Sequence, residues 1–151
     1  MKKVGEVVTG SLGIDQTGTE ISWDELKGSK VMLYFYPKDD TPGCTAQACN
    51  LRDEYSALQR KGVKVIGVSA DTEEKHQKFI EKYQLPFPLI ADTEKKLIQE
   101  FGVWGPKKFM GKEYDGIHRT TFIISEDGVV ESVIEKVKTK EHSKQILEFL
   151  K

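Results

Sequence analysis

The longest unbroken apolar stretch is Val31-Met32-Leu33-Tyr34-Phe35-Tyr36, closed by Pro37 and the turn-rich Lys38 to Gly43. A β-favouring run without polar alternation predicts a strand buried on both faces, as in the middle of a parallel sheet. From Thr45 to about Arg60, Leu51, Tyr55 and Leu58 recur at i, i+4 and i+7 and predict an amphipathic helix that stops near Gly62. A strand over Val63 to Ser69 follows. Asp71 or Thr72 can cap the next helix, with Glu73 and Glu74 in its first turn and His76, Phe79, Ile80 and Tyr83 on one face. Pro86 and Pro88 bracket the turn before a short strand, Phe87 to Ala91. Thr93 to Phe101 reads as a helix with Leu97, Ile98 and Phe101 inward.

The period is then lost. Gly102 to Gly116 is rich in Gly, Lys and aromatic residues and predicts a functional or mobile loop. Thr120 to Ser125 and Val129 to Val137 read as strands joined by Glu126-Asp127-Gly128, and Lys140 to Leu150 as a closing helix. This order predicts an α/β fold: a central mixed β-sheet flanked by helices, parallel in its first half and antiparallel at its later edge, which fits a thioredoxin-like fold. With 151 residues and no repeat or linker composition, one domain over 1–151 is expected.

Composition narrows the partners. Hydrophobic residues make up 38% and charged residues 31%, as in an ordinary folded chain. The 23 Lys and Arg against 24 Asp and Glu are interleaved, so neither nucleic acid nor an anionic membrane surface finds a footprint. No apolar run approaches the roughly 18 residues needed to span a bilayer. Met1-Lys2-Lys3 meets Glu6 before any apolar region, so no secretory signal is expected and the cytoplasm is the default compartment.

The chain has two cysteines, Cys44 and Cys49. A structural disulfide is disfavoured in the cytosol, which leaves buried thiols, metal ligands or redox chemistry. Cys44 follows a strand and a Pro-Gly turn and falls in the first turn of a helix, where free backbone N–H groups and the helix dipole favour an anion. A helix terminus supplies ~0.3 to 2 kcal/mol, against the roughly 3.4 kcal/mol needed to bring a thiol from pKa ~8.5 to ~6. A second cation is therefore required, and Arg119, which opens the strand at Thr120, is the leading candidate. In an intact helix residues five apart have Cα atoms roughly 8.6 Å apart, beyond the ~7 Å limit for a disulfide. If Cys44 and Cys49 act as a pair, the first turn must unwind between reduced and oxidised forms.

Tyr36-Pro37-Lys38-Asp39-Asp40-Thr41-Pro42-Gly43-Cys44-Thr45 resembles the peroxiredoxin signature Pro-x-x-x-Thr-x-x-Cys, in the extended form of the bacterioferritin comigratory or Q-type subfamily. The resemblance continues through Cys49 to Asp53, Val65 to Ser69, Leu85 to Leu89 and Arg119 to Phe122. It implies that Cys44 is the peroxidatic cysteine, attacking a peroxide oxygen and becoming a sulfenic acid. It further implies that Thr41 hydrogen-bonds the peroxide, that Pro37 shields the pocket and that Arg119 stabilises thiolate and transition-state charge. Cys49 matches the resolving cysteine of the same chain, with thioredoxin or a similar dithiol as reductant. A monomer without metal, haem or flavin is implied.

Two departures stand out: the N-terminal Val7 to Gly13 lacks the family's Ala-Pro-x-Phe, and Gln47 stands where many peroxiredoxins carry glutamate. Two cysteines with His76, His118 and His142 on scattered elements make no zinc set. His76 reads as a packed boundary histidine and His118 as a strand-edge one. Gly105 to Lys112 lacks the spacing and the Ser/Thr of a phosphate loop. Phe101, Trp104, Phe109 and Tyr114 read as core edge or pocket rim, and the Lys-rich C-terminal helix as a solvated face. Two functions stand: a thiol-dependent peroxidase for hydrogen peroxide and organic hydroperoxides, or a redox-sensing thiol-exchange switch without turnover.

Overall fold

In the computed structural model, which describes residues 1–150, the long apolar run is the middle strand of a five-stranded sheet. The chain runs β1 (Ser11–Ile14), β2 (Glu20–Ser22), α1 (Trp23–Leu26), β3 (Lys30–Phe35), α2 (Pro42–Asp53), α3 (Tyr55–Arg60), β4 (Val63–Ser69) and α4 (Glu73–Tyr83). It continues through β5 (Leu89–Ala91), α5 (Lys96–Glu100), β6 (Trp104–Phe109), β7 (Lys112–Ile117), β8 (Thr120–Ile124), β9 (Val130–Ile134), a 3-10 turn (Thr139–Glu141) and α6 (His142–Phe149). The sheet order is β5-β4-β3-β8-β9. β3, β4 and β5 run parallel, and β8 and β9 are antiparallel additions, as the element order predicts.

Both faces of β3 are covered, which is why its sequence does not alternate. Val31, Leu33 and Phe35 face Trp23, Ile98, Phe101 and Phe122; Met32, Tyr34 and Tyr36 face Leu51, Leu58, Phe79 and Ile146. Each such large side chain contributes about 1.5–3 kcal/mol by burial. Among the described residues no helix is long and apolar enough to cross a membrane.

Several boundaries differ from the sequence reading. The single helix expected over Thr45 to Arg60 starts at Pro42, because Thr41 is extended (φ −104°, ψ 156°) and Pro42 occupies the first helical position, and it breaks at Glu54 (φ −106°, ψ 14°). Thr72, not Asp71, caps α4, accepting from the Lys75 N–H at 3.3 Å. The helix expected over Thr93 to Phe101 shrinks to α5, where the Asp92 carboxylate takes the N–H groups of Leu97 and Ile98. The strands expected over Phe87 to Ala91 and Val129 to Val137 shorten to β5 and β9. The supposed loop Gly102 to Gly116 is largely the hairpin β6–β7, with a two-residue turn whose Met110 (φ 51°) and Gly111 (φ 80°) both adopt positive φ. The β1–β2 hairpin was invisible because its strands are short and half exposed.

The final helix is tied to α2 and to the sheet by polar contacts. Ser143 N–H donates to Asn50 Oδ1 at 2.8 Å. Gln145 Oε1 can only accept, so His142 Nδ1 carries the proton it gives there (2.9 Å), and Nε2 accepts from the Thr121 hydroxyl at 2.8 Å. This arrangement needs a neutral ring, and burial holds the His142 pKa down at about 4. A histidine depressed on folding binds fewer protons folded than unfolded between its two pKa values, so its contribution is full above ~6.5 and lost as pH falls toward about 4. In urea denaturation, the advantage of wild type over His142→Gln should shrink by about 3 kcal/mol from pH 7 to pH 4. A pH-independent difference would exclude His142 as the titrating group.

Candidate active site

The site is built where β3 ends, α2 begins and β8 starts. β8 lies directly beside β3, with Phe35 opposite Thr120, so Arg119 arrives next to the first turn of α2. Cys44 is the third helical residue and only 2% exposed. Arg119 Nη2 donates to Cys44 Sγ at 3.2 Å, and Nη1 donates to Gln47 Oε1 at 2.5 Å. The guanidinium fork thus spans two side chains one helical turn apart and brings positive charge onto the sulfur. The contact anticipated from the sequence is present, and Gln47 occupies the other arm of the fork.

Gly43 was not singled out from the sequence, yet a Cβ there would sit 3.2 Å from Arg119 Nη2. The guanidinium lies against its bare backbone. Thr41 is the N-cap but does not cap with its side chain; its hydroxyl donates to the Lys38 carbonyl at 2.9 Å. The Thr41 oxygen is left as an acceptor. Within the first turn, Thr45 N–H returns to the Thr41 carbonyl, while the N–H groups of Gly43 and Cys44 precede the helical ladder and face outward from it. Arg119 is thus the donor placed on the sulfur, with free N–H groups and the Thr41 oxygen in the same first turn.

Pro37 is half buried and lines a cleft of about 370 Å³ with Trp104, Lys107, Tyr114 and Ile117. Burial and the Arg119 charge lower the Lys107 pKa, and its ammonium donates to the Ile117 carbonyl at 2.9 Å. Of the aromatic residues singled out from the sequence, Phe101 is core, Trp104 and Tyr114 line this cleft, and Phe109 is 66% exposed. A larger cavity of about 500 Å³, lined by Ile21, Tyr55, Gln59 and Val63, contains none of the candidate site residues. Cys49 is partly buried further along α2, and both cysteines are free thiols.

The loop that carries Pro37 and Thr41 is pinned from below, and here the sequence reading needs correction. His76 is not a boundary residue but fully buried. Its Nε2–H donates to the Ile90 carbonyl at 2.9 Å, and its Nδ1 lies 2.6 Å from Asp39 Oδ2, with one proton bridging the pair. Tyr36 O–H donates to the other Asp39 oxygen at 2.5 Å, and Asp39 N–H donates to Asp71 Oδ2, which also accepts from Ser69 O–H. Asp39, Asp71 and His76 offer atoms within 4.8 Å of one another, but hydrogen bonds already engage them. The group ties the loop to α4 and β5, and leaving one member of such a buried pair unpartnered costs on the order of 3–5 kcal/mol. Asp40 adds an exposed clamp to Lys82 and Tyr83, which hold its carboxyl below the usual range. His118 is exposed on the chain before β8, outside this cluster.

Residues 4–133 match the AhpC/TSA family. Peroxiredoxin Bcp of Escherichia coli is 45% identical over 149 residues, covering 99% of this chain and 96% of the relative. Peroxiredoxin Bcp of Bacillus subtilis is 47% identical over 134 residues, covering 89% and 85%. The solved peroxiredoxin Q of Xanthomonas campestris superposes with a TM-score of 0.88 at 32% identity, covering 97% of this chain and 95% of that one.

Proposed function

Since the chain belongs to the AhpC/TSA family, as a thiol peroxidase of the Bcp or Q type, we propose that Cys44 attacks the peroxide and Cys49 resolves the product. The observation that carries this assignment is the 3.2 Å hydrogen bond from Arg119 to the Cys44 sulfur at a helix N-terminus.

In the proposed first step the Cys44 thiolate attacks one peroxide oxygen. An S–O bond forms, the O–O bond breaks, and the departing oxygen takes a proton to leave as water or an alcohol. Negative charge moves from sulfur to the departing oxygen, so the Arg119 donors and the N–H groups of Gly43 and Cys44 act on charge that develops along the reaction. Thr41, its own proton committed to Lys38, accepts from the peroxide O–H and orients it. Pro37, half-buried at the edge of the cleft, shields the sulfur from water.

In the second step the start of α2 unwinds. The Cys49 thiolate attacks the Cys44 sulfur, the S–S bond forms, and the sulfenic oxygen leaves as water after taking a proton. A dithiol donor such as thioredoxin then reduces the disulfide by exchange. A same-chain resolving cysteine lets a monomer of one domain complete the cycle, and the cytoplasm supplies the reducing environment.

Cys49→Ser separates the steps. After one equivalent of peroxide, mass spectrometry should show a Cys44 sulfenic acid formed at the wild-type rate and no intramolecular disulfide. Full thioredoxin-supported turnover by this variant would remove Cys49 from the mechanism.

A further inference from the structure

Among the described residues three buried side-chain polar atoms find no hydrogen-bond partner: Trp23 Nε1, Tyr34 Oη and Gln47 Nε2. Two belong to the packing between the sheet and α2. Tyr34, on β3, is 1% exposed and belongs to the same packed cluster as Cys44, Ala48 and Leu51 of α2. Its ring is wedged: Tyr36 stacks at 5.3 Å, Phe87 meets it edge-on at 6.1 Å, and the bare backbone of Gly67 lies so close that a Cβ would come within 2.9 Å of Tyr34 Cζ. The hydroxyl cannot swing away to find a partner.

Nearby groups are already committed. Thr121, opposite Tyr34 on β8, gives its proton to His142, and Asp39 takes Tyr36 and His76. Burial, with the charges of Asp39, Cys44 and Cys49, keeps the Tyr34 hydroxyl protonated. Gln47 is fully buried on α2, and the grip of Arg119 on its Oε1 fixes the amide so that Nε2 has no acceptor.

An unsatisfied buried polar group is a penalty carried by the folded state and removed when water reaches it. Both groups lie where the opening of Pro42 to Cys49 would admit water. We propose that Tyr34 and Gln47 bias the start of α2 toward unwinding, so that Tyr34 acts as a positioning residue for the resolution step through the helix it packs beneath. The inference rests on Cys44 and Cys49 as peroxidatic and resolving partners. It adds a residue on the sheet beneath the helix that sets how readily the helix opens.

Tyr34→Phe removes only the hydroxyl. Rapid-quench mass spectrometry after one equivalent of peroxide should show Cys44 oxidised at the wild-type rate but the Cys44–Cys49 disulfide forming about tenfold more slowly. The melting temperature of the reduced protein should rise by about 3 °C. Trp23→Phe is the control: Trp23 packs on the other face of the sheet against Gly128, so its substitution should leave resolution unchanged. Unchanged or faster resolution in Tyr34→Phe overturns the inference. So does a lower melting temperature, which would mean that the hydroxyl is bonded through a bridging water, and so does equal slowing in Trp23→Phe. If wild type itself forms no Cys44–Cys49 disulfide, the assignment of the cysteine pair fails; if it does and Tyr34→Phe matches it, only this inference fails.

Discussion

Cys44→Ser is expected to reduce peroxide consumption by on the order of 10⁴-fold or more, in an assay coupled through thioredoxin and thioredoxin reductase to NADPH oxidation. The serine hydroxyl is close to the thiol in size and hydrogen-bonding capacity, and the side chain sits in a packed first turn, so the fold should survive. What disappears is the nucleophile. A thiolate is accessible near neutral pH, whereas an alkoxide is not, and Arg119 cannot close that gap by hydrogen bonding alone. The loss should persist at saturating peroxide and reductant, because neither can replace the attacking atom. Undiminished NADPH oxidation in Cys44→Ser would sink the assignment, while peroxide-dependent catalytic oxidation by the wild type separates turnover from simple thiol exchange.

The second large effect concerns Arg119. Its two donors reach Cys44 Sγ at 3.2 Å and Gln47 Oε1 at 2.5 Å. Arg119→Met removes both contacts and the charge, and should lower kcat/KM for peroxide by about 10²–10³-fold, the usual consequence of deleting a donor aimed at developing negative charge. Arg119→Lys keeps the charge but offers a single compact ammonium, which cannot hold sulfur and amide together. A loss of about tenfold or more is expected even there. Stopped-flow measurement of Cys44 oxidation isolates the step. Wild-type rates in Arg119→Met would reduce the observed hydrogen bond to a structural contact.

The central sheet was legible because both of its faces are buried. Val31 to Tyr36 is continuously apolar and Val63 to Val68 nearly so, broken by Lys64 and Gly67, and the structure places them side by side as β3 and β4. The approach of Arg119 to Cys44 was also legible, since one chain position opens β8 and the other follows β3. The β6–β7 hairpin was not, because it stands apart from the main sheet and its mostly exposed positions need no hydrophobic alternation; the Met110-Gly111 pair between two exposed strands was its one signal. The break at Glu54 was hidden for the opposite reason: the stripe Leu51, Tyr55, Leu58 continues across it. The Asp39–His76 bridge joins residues 37 positions apart, and only the fold brings them together. Gln47 was noted in the sequence as a replacement for glutamate, and its place beside Cys44 follows because i+3 on a helix shares a face.

The tie between Asn50 and Ser143 marks a boundary along α2. Beyond it, Arg52 donates to the Tyr83 carbonyl at 2.7 Å and Leu51 is wholly buried, so that half is fastened to the core. Before it, the buried residues are Cys44, Gln47 and Ala48, none of them a large hydrophobe. Within the proposed cycle, opening this half takes no large hydrophobe of α2 itself into water, and such a segment opens without global unfolding. The proposed resolution step would then leave covered the rest of the core, the sticky interior whose exposure drives aggregation.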